Sequence, residues 1–375
     1  MNKNISLYIH IPFCKSRCTY CDFLSSVENV EKQKYFNTLK EELLYLYDKH
    51  ELNKYNLSTL YFGGGTPSLI PAEYYDELFE SINLLFKRDK ENFEFTVECN
   101  PDSLSEEFLQ HFKFHGLNRI SIGVQSSDNR ILKIINRPHK LEDLMEKYSV
   151  ARKYIDNISF DFIIGLPEES FDSTEKTIDI IRLFSPEHIS FYLLELHEDT
   201  PMYKEYDKDK ITLPTVKNNI KTLEKTSYSL KEMGYNRYEI SNFALKGFES
   251  KHNLRYWKNS DYIGLGASAG GHINNIRYVN SMNISEYIKN FKNTFSYYRE
   301  NSEIEEFKET IFMGLRKTSG IKLRYLYENF SKKITDRFFK ALSAREEILL
   351  TDGNIKLKNY FITRNSEIFE YISNI

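Results

Sequence analysis

The sequence predicts an α/β protein: an incomplete parallel (β/α)6 barrel of the TIM type, followed by a small C-terminal helical, winged-helix-like domain. Three observations carry this. Between residue 6 and about 195, strand-like runs alternate with helix-like runs, the pattern of a parallel sheet covered by helices. The chemically distinctive residues of that region fall at or near the ends of the strands, where parallel barrels build their sites. From Ser302 the alternation gives way to three helices and a hairpin. Six strands, where a closed barrel has eight, leave it incomplete.

The strand runs are Leu7–Ile11, Thr59–Phe62, Phe93–Cys99, Arg119–Val124, Ser159–Ile164 and Ile189–Leu194. The helical runs between them are Glu31–Tyr47, Ala72–Phe86, Ser105–His115, Leu141–Tyr154 and Phe171–Phe184. Tyr35, Leu39, Leu43 and Leu46 give the first helix an apolar 3–4 spacing, Pro71 opens the second, and Ser105 caps the third ahead of Glu106 and Glu107. After the sixth strand, His197–Leu213 is a polar connection and Val216–Met233 a helix. Residues 236–300 have no clear period. The part up to Ile273, dense in aromatics, glycine and histidine, is expected as a cap over a site, and 274–300 as a linker. The third domain, 301–375, has helices at Glu303–Arg316, Leu323–Phe330 and Thr335–Arg345, then a hairpin Ile348–Leu357 turning at Asp352-Gly353. The first domain is therefore 1–235.

With 375 residues, 41% of them hydrophobic and 15% aromatic, the chain can bury a large core. A net charge of -3 gives no strong pull towards nucleic acid or anionic lipid, and the C-terminal domain shows no dense basic face. The opening MNKNISLYIH lacks the apolar core of a secretory signal, and apolar stretches such as Ile189–Leu196 are strand-length, so no transmembrane segment is expected. Four cysteines, three of them clustered, suit a reducing cytoplasm better than a disulfide framework.

That cluster is the centre of the sequence. Cys14, Cys18 and Cys21 stand in C-x3-C-x2-C spacing directly after the first strand, so three thiols leave one tight loop. Thiolates are the soft ligands that iron–sulfur clusters and zinc select. Three readings compete: unrelated reduced thiols; a zinc site completed by His10 or Asp22; and a 4Fe-4S cluster with three protein ligands and one open iron. Other candidates gather at the strand ends. Gly63-Gly64-Gly65-Thr66-Pro67 follows the second strand, where a backbone without side chains can approach a ligand. Glu98 and Gln125 end the next two, and Asp161 lies among Phe160, Phe162, Ile163 and Ile164, where a carboxylate needs a partner. Cys99 reads as a small buried hydrophobe.

With Tyr20 before its third cysteine, the motif resembles the signature of the radical S-adenosylmethionine (SAM) enzymes. IHIPFC ahead of it resembles the branch that holds oxygen-independent coproporphyrinogen III oxidases and the HemW-type haem chaperones. The resemblance covers nearly the whole chain. It implies a 4Fe-4S cluster on Cys14, Cys18 and Cys21 whose open iron chelates SAM, and a reductant that supplies one electron to cleave it to methionine and a 5'-deoxyadenosyl radical. It also implies that Gly64, Gly65 and Thr66 contact the amino end of SAM, that Arg137 of NRPH meets its carboxylate, and that Tyr8, Tyr20, Glu98, Gln125 and Asp161 surround the rest.

Within the branch, the oxidase carries a further cysteine where this chain has Phe23, and a long extension where thirteen residues precede Cys14. His252-Asn253-Leu254-Arg255-Tyr256-Trp257 resembles the HNxxYW motif of the chaperones instead. The resemblance therefore implies a protein that binds haem, with His252 a candidate ligand, and passes it to an acceptor protein. The alternative is oxidative decarboxylation of coproporphyrinogen III.

Overall fold

The computed structural model describes residues 3–27, 31–89, 92–359, 362 and 366–374. Six parallel strands follow one another across the sheet: β1 (Lys3–Ile11), β2 (Tyr55–Gly64), β3 (Glu94–Cys99), β4 (Arg119–Gln125), β5 (Asn157–Ile164) and β6 (His188–Leu193). All six are the expected strands, shifted only at their ends. The helices that cover them are α1 (Lys32–Lys49), α2 (Asp76–Leu85), α3 (Glu106–Phe114), α4 (Asn129–Ile134), α5 (Leu141–Ala151) and α6 (Phe171–Phe184). The α1 stripe of Tyr35, Leu39, Leu43 and Leu46 is buried as its spacing requires. Ser105 caps α3 by accepting the Phe108 amide at 3.1 Å.

Two local differences arise here. Residues 72–75 form a 3-10 turn ahead of α2, with the Tyr75 hydroxyl drawn in to donate to the Pro67 carbonyl at 2.9 Å. The short α4, unforeseen in the sequence, is capped by Asp128, which accepts the Arg130 amide at 2.9 Å. Beyond β6, the polar connection contains α7 (Pro201–Tyr206), capped by Thr200, and leads to α8 (Val216–Glu232).

Residues 236–300, expected as a cap and a linker, carry strands that widen the same sheet at both edges. β8 (Asn242–Ala244) pairs antiparallel with β6, and β7 (Asn236–Arg237) pairs antiparallel with β8 at the sheet's edge. After α9 (Lys251–Trp257), β9 (Tyr262–Leu265) runs parallel beside β1. β10 (Gly270–Ile273), β11 (Ile276–Asn280), α10 (Ile284–Asn290) and β12 (Phe295–Glu300) continue outward, the strands antiparallel. The order is β12-β11-β10-β9-β1-β2-β3-β4-β5-β6-β8-β7, with the two-residue strand Lys87–Arg88 beside β2. The barrel therefore stays open. The outer strands escaped the sequence reading because β12 is largely exposed, so it lacks an apolar face to give it a period. Buried Glu42 of α1 binds this extension to the barrel: it accepts from the Gly266 amide (2.8 Å), the Asn280 side chain (2.7 Å) and the Tyr287 hydroxyl (2.7 Å). Burial pushes its carboxyl up to about 7.

The C-terminal part has its own core around Phe307, Ile311, Phe338 and Leu342. It comprises α11 (Glu303–Gly314), β13 (Ile321–Lys322), α12 (Leu323–Asn329), α13 (Lys332–Ser343), β14 (Ile348–Thr351), β15 (Asn354–Leu357) and α14 (Ser366–Asn374). Three strands in the order β13-β15-β14 make the wing. Glu306 of α11 accepts from Asn259 at 2.6 Å, and the Arg316 guanidinium lies 4.7 Å over the Trp257 ring, so this part clamps α9. Among the described residues no helix is long and apolar enough to cross a membrane.

Candidate functional site

The loop that leaves β1 is fastened before it reaches its cysteines. Gly65 and Thr66 donate their amides to the Ile11 and Phe13 carbonyls at 2.9 and 2.8 Å, so the glycine run lies against the start of the cysteine loop. Cys14 donates its amide to Ser26 at 3.0 Å, Thr19 to Ile135 at 3.1 Å, and Met202 to Thr19 at 2.8 Å. The loop is thus held by its own return, by α4 and by α7.

The side chains then close a circuit. Thr66 Oγ1 donates to Cys14 Sγ at 3.7 Å, and Asn100 Nδ2 donates to Thr66 Oγ1 at 3.0 Å. Arg137 donates to Asn100 Oδ1 at 2.6 Å, to the Gly123 carbonyl at 2.7 Å and to Cys18 Sγ at 3.5 Å. The structure therefore brings together Cys14, Thr66, Arg137 and Cys18, which sequence reasoning singled out, through Asn100, which it missed. All four cysteines are free thiols. Burial raises the pKa of the Cys14 thiol and pushes Cys21 up to about 11. Three adjacent thiols and one guanidinium are a donor set for a soft metal centre with an anion beside it. Arg137 Nε, buried and without a partner among the described residues, leaves that cation with unused capacity.

His10 and Asp22, weighed as fourth ligands, are otherwise engaged. The His10 ring pairs with the Tyr8 hydroxyl and the Leu24 carbonyl, both at 3.0 Å, and Asp22 pairs with His197 at 3.3 Å. Cys99 is buried with its Sγ 3.8 Å from the Val97 carbonyl, a packed thiol away from the circuit.

Below the cysteines the lumen of the barrel is polar. Glu98 accepts from the Tyr61 hydroxyl at 2.8 Å and from the Gly64 amide at 2.9 Å, and burial pushes its carboxyl up to about 7. Asp161 accepts from Ser121 at 2.8 Å and Ser159 at 3.2 Å; burial raises it too, against those hydroxyls and the Arg119 charge. Gln125 has φ +65° where β4 slips register against β5. A non-glycine residue held in the left-handed region stores strain, as residues at functional sites do. Tyr8 lies 6.0 Å from Tyr61, ring to ring, and Tyr20 packs by Ile131, Leu132 and Met202.

His252 lies elsewhere. α9 closes the N-terminal end of the strands: the Lys251 and His252 amides both donate to buried Glu94 at 2.9 Å, a carboxylate on a helix N-terminus. The His252 ring pairs with Thr59 Oγ1 at 2.7 Å and the Tyr256 hydroxyl at 2.8 Å, and lies 4.9 Å from the Tyr61 ring. It is 1% exposed, so neither ring nitrogen is open to a ligand in this conformation.

Burial holds His10 and His139 down to about 4 and His252 to about 3. The unfolded chain protonates all three below about pH 6.5 while the folded chain keeps them neutral, so stability is full above that pH and lost as pH falls. Each such histidine removes up to about 1.4 kcal/mol per pH unit between those limits. Urea unfolding at stepped pH is expected to show the decline, with a slope smaller by about one proton in His252→Asn. An unchanged slope would mean that His252 is already charged in the folded chain.

The family model described as the radical SAM superfamily matches residues 8–181. The chain is 36% identical to the heme chaperone HemW of Bacillus subtilis (strain 168), over 89% of each chain. It is 34% identical to the heme chaperone HemW of Lactococcus lactis subsp. lactis (strain IL1403), over 96% of each. Among solved structures, the coproporphyrinogen III oxidase HemN of Escherichia coli superposes with a TM-score of 0.81 over 99% of this chain and 89% of that one, at 18% identity, a likeness of fold.

Proposed function

The chain belongs to the HemW family of the radical SAM superfamily, and from that premise we propose that it binds haem and transfers it to an acceptor protein, with a 4Fe-4S cluster on Cys14, Cys18 and Cys21 and SAM beside it. The observation that supports this most is the circuit from Cys14 through Thr66, Asn100 and Arg137 to Cys18. It gives two of the three thiols fixed hydrogen-bond donors. When bound, the cluster supplies one electron to the sulfonium cofactor at its open iron.

The chain's own residues position and exclude. In this reading Arg137 offers its free donor to the SAM carboxylate, Gly64 and Gly65 admit the amino end, and Glu98, Gln125 and Asp161 line the path below, with Tyr8 and Tyr20 as aromatic walls. An external reductant supplies the electron, in a cytoplasmic setting consistent with four free thiols. The likeness to the coproporphyrinogen oxidase extends to fold alone and brings no decarboxylase activity with it.

Haem ligation by His252 requires one free ring nitrogen, and movement of α9 off the barrel base frees the one that Thr59 holds and exposes the buried ring. Trp257, the single tryptophan of the chain, sits on that helix and reports the movement. Anaerobic haemin titration of the cluster-loaded protein is expected to saturate near one haem per chain in the Soret region, with Trp257 fluorescence changing in step, and to lose the Soret shift in His252→Ala. Soret saturation with constant Trp257 emission would remove His252 as the ligand. Absence of specific uptake would remove the chaperone reading.

A further inference from the structure

We propose that Asp76, His111 and His115 form a zinc site between α2 and α3, on the outer face of the barrel and apart from the cysteine loop. His111 on α3 and His115, the residue that caps its C-terminus, stand four residues apart, about one turn, so both rings leave the same face. Asp76, the first residue of α2, faces them: its Oδ1 is 2.7 Å from His111 Nε2 and 3.9 Å from His115 Nε2. One ligand atom from each of the three lies within 4.8 Å of the others. A tetrahedral zinc with bonds of about 2.1 Å spaces its ligand atoms about 3.4 Å apart, so small rotations of side chains suffice.

The rings are already oriented. His115 stacks on Phe79 at 4.2 Å and 15°, while Phe112, between the two histidines in sequence, is buried against Phe79 and Phe95. All three groups are half-buried, which leaves a solvent-facing position for a fourth, water ligand. Among the described residues Asp76 has no lysine or arginine within ion-pair distance, so its carboxylate faces only the two imidazoles. Two imidazoles and one carboxylate are borderline donors that suit zinc over calcium or magnesium.

A second cluster, His272, Glu306 and Glu309, makes the contrast. Its carboxylates are already taken by Asn259, Asn301 and Arg277, and it holds the C-terminal part in place. Arg88, bonded to the His115 carbonyl at 2.7 Å, opposes a cation at the first site and keeps its affinity moderate.

Anaerobic titration of the cluster-loaded protein with Co2+ as spectroscopic probe tests the site, followed by Zn2+ displacement. Expected is about one cobalt per chain with the d–d bands of nitrogen and oxygen ligation and no thiolate charge-transfer band. Zinc affinity should fall roughly tenfold or more in His111→Gln and in Asp76→Asn. Those variants remove a ligand without touching the Phe79 stack, and far-UV circular dichroism checks that they fold. No uptake, unchanged affinity in both variants, or a thiolate band that accounts for all bound cobalt would overturn the proposal.

Discussion

Cys18→Ala is expected to leave the chain without its iron–sulfur cluster, the largest single effect any substitution here should have. Cys18 is the buried thiol of the three, and the only one that receives the Arg137 guanidinium. Thiolate, not thiol, binds iron, and burial opposes the charge on Cys14 and Cys21. Arg137 donates to Cys18 Sγ at 3.5 Å, so this sulfur is the one the guanidinium holds in place. With it gone, two thiolates remain beside an arginine that has lost its sulfur partner. Anaerobic reconstitution should take iron from about four per chain to below about one and abolish the brown absorbance. Cys99→Ala is the matched control, since that thiol is equally buried but lies outside the circuit, and should keep the cluster intact. Unchanged iron in Cys18→Ala would refute the cysteine assignment.

The polar lumen was legible in the sequence at a level that strand detection alone passes over. A parallel sheet buried on both faces ordinarily reads as a continuous apolar run. Here every second residue is polar or glycine: Thr59, Tyr61 and Gly63; Glu94, Thr96 and Glu98; Arg119, Ser121, Gly123 and Gln125; Ser159 and Asp161; His188 and Ser190. Successive side chains of a strand point to opposite faces, so the period of two states that one face packs helices while the other encloses something polar. Tyr61, Ser121 and Ser159, the partners of Glu98 and Asp161, lie in that register and could have been named with them. Asn100 could have been found as well, standing beside Pro101 directly after the third strand.

The base of the barrel was not legible. The partners of His252 are Thr59, 193 residues earlier, and Glu94, 158 residues from the amide it accepts. No local pattern carries such a pairing; it exists because β9 inserts beside β1 and brings α9 beneath the strands. Segment 274–300 hid for a different reason: an outer strand with little buried surface needs few apolar residues, and a polar strand reads as a linker.

Gly64→Ala is expected to damage the site and the fold together. Gly64 has φ +106°, which costs a residue with a Cβ about 1–2 kcal/mol. The added Cβ would also fall 2.3 Å from His10 Cε1 and 2.4 Å from Nδ1. The imidazole cannot swing aside, because Tyr8 and Leu24 hold both of its nitrogens and it is 2% exposed. Relief of that overlap costs about 1–3 kcal/mol more. The backbone must therefore move, and with it the Gly64 amide that donates to Glu98. A buried carboxylate losing one of two donors loses about 1.5–3 kcal/mol of interaction, so SAM affinity should weaken about tenfold or more, measured by isothermal titration of the cluster-loaded protein. Gly247→Ala separates the two causes. Gly247 has φ +93° but nothing within 4 Å of its added Cβ, so that variant carries backbone strain alone and should bind SAM as the parent does. If Gly64→Ala unfolds in urea no more readily than Gly247→Ala and binds SAM equally well, the glycine run does no more than turn the chain, and the carboxylate beneath it is held by Tyr61 alone.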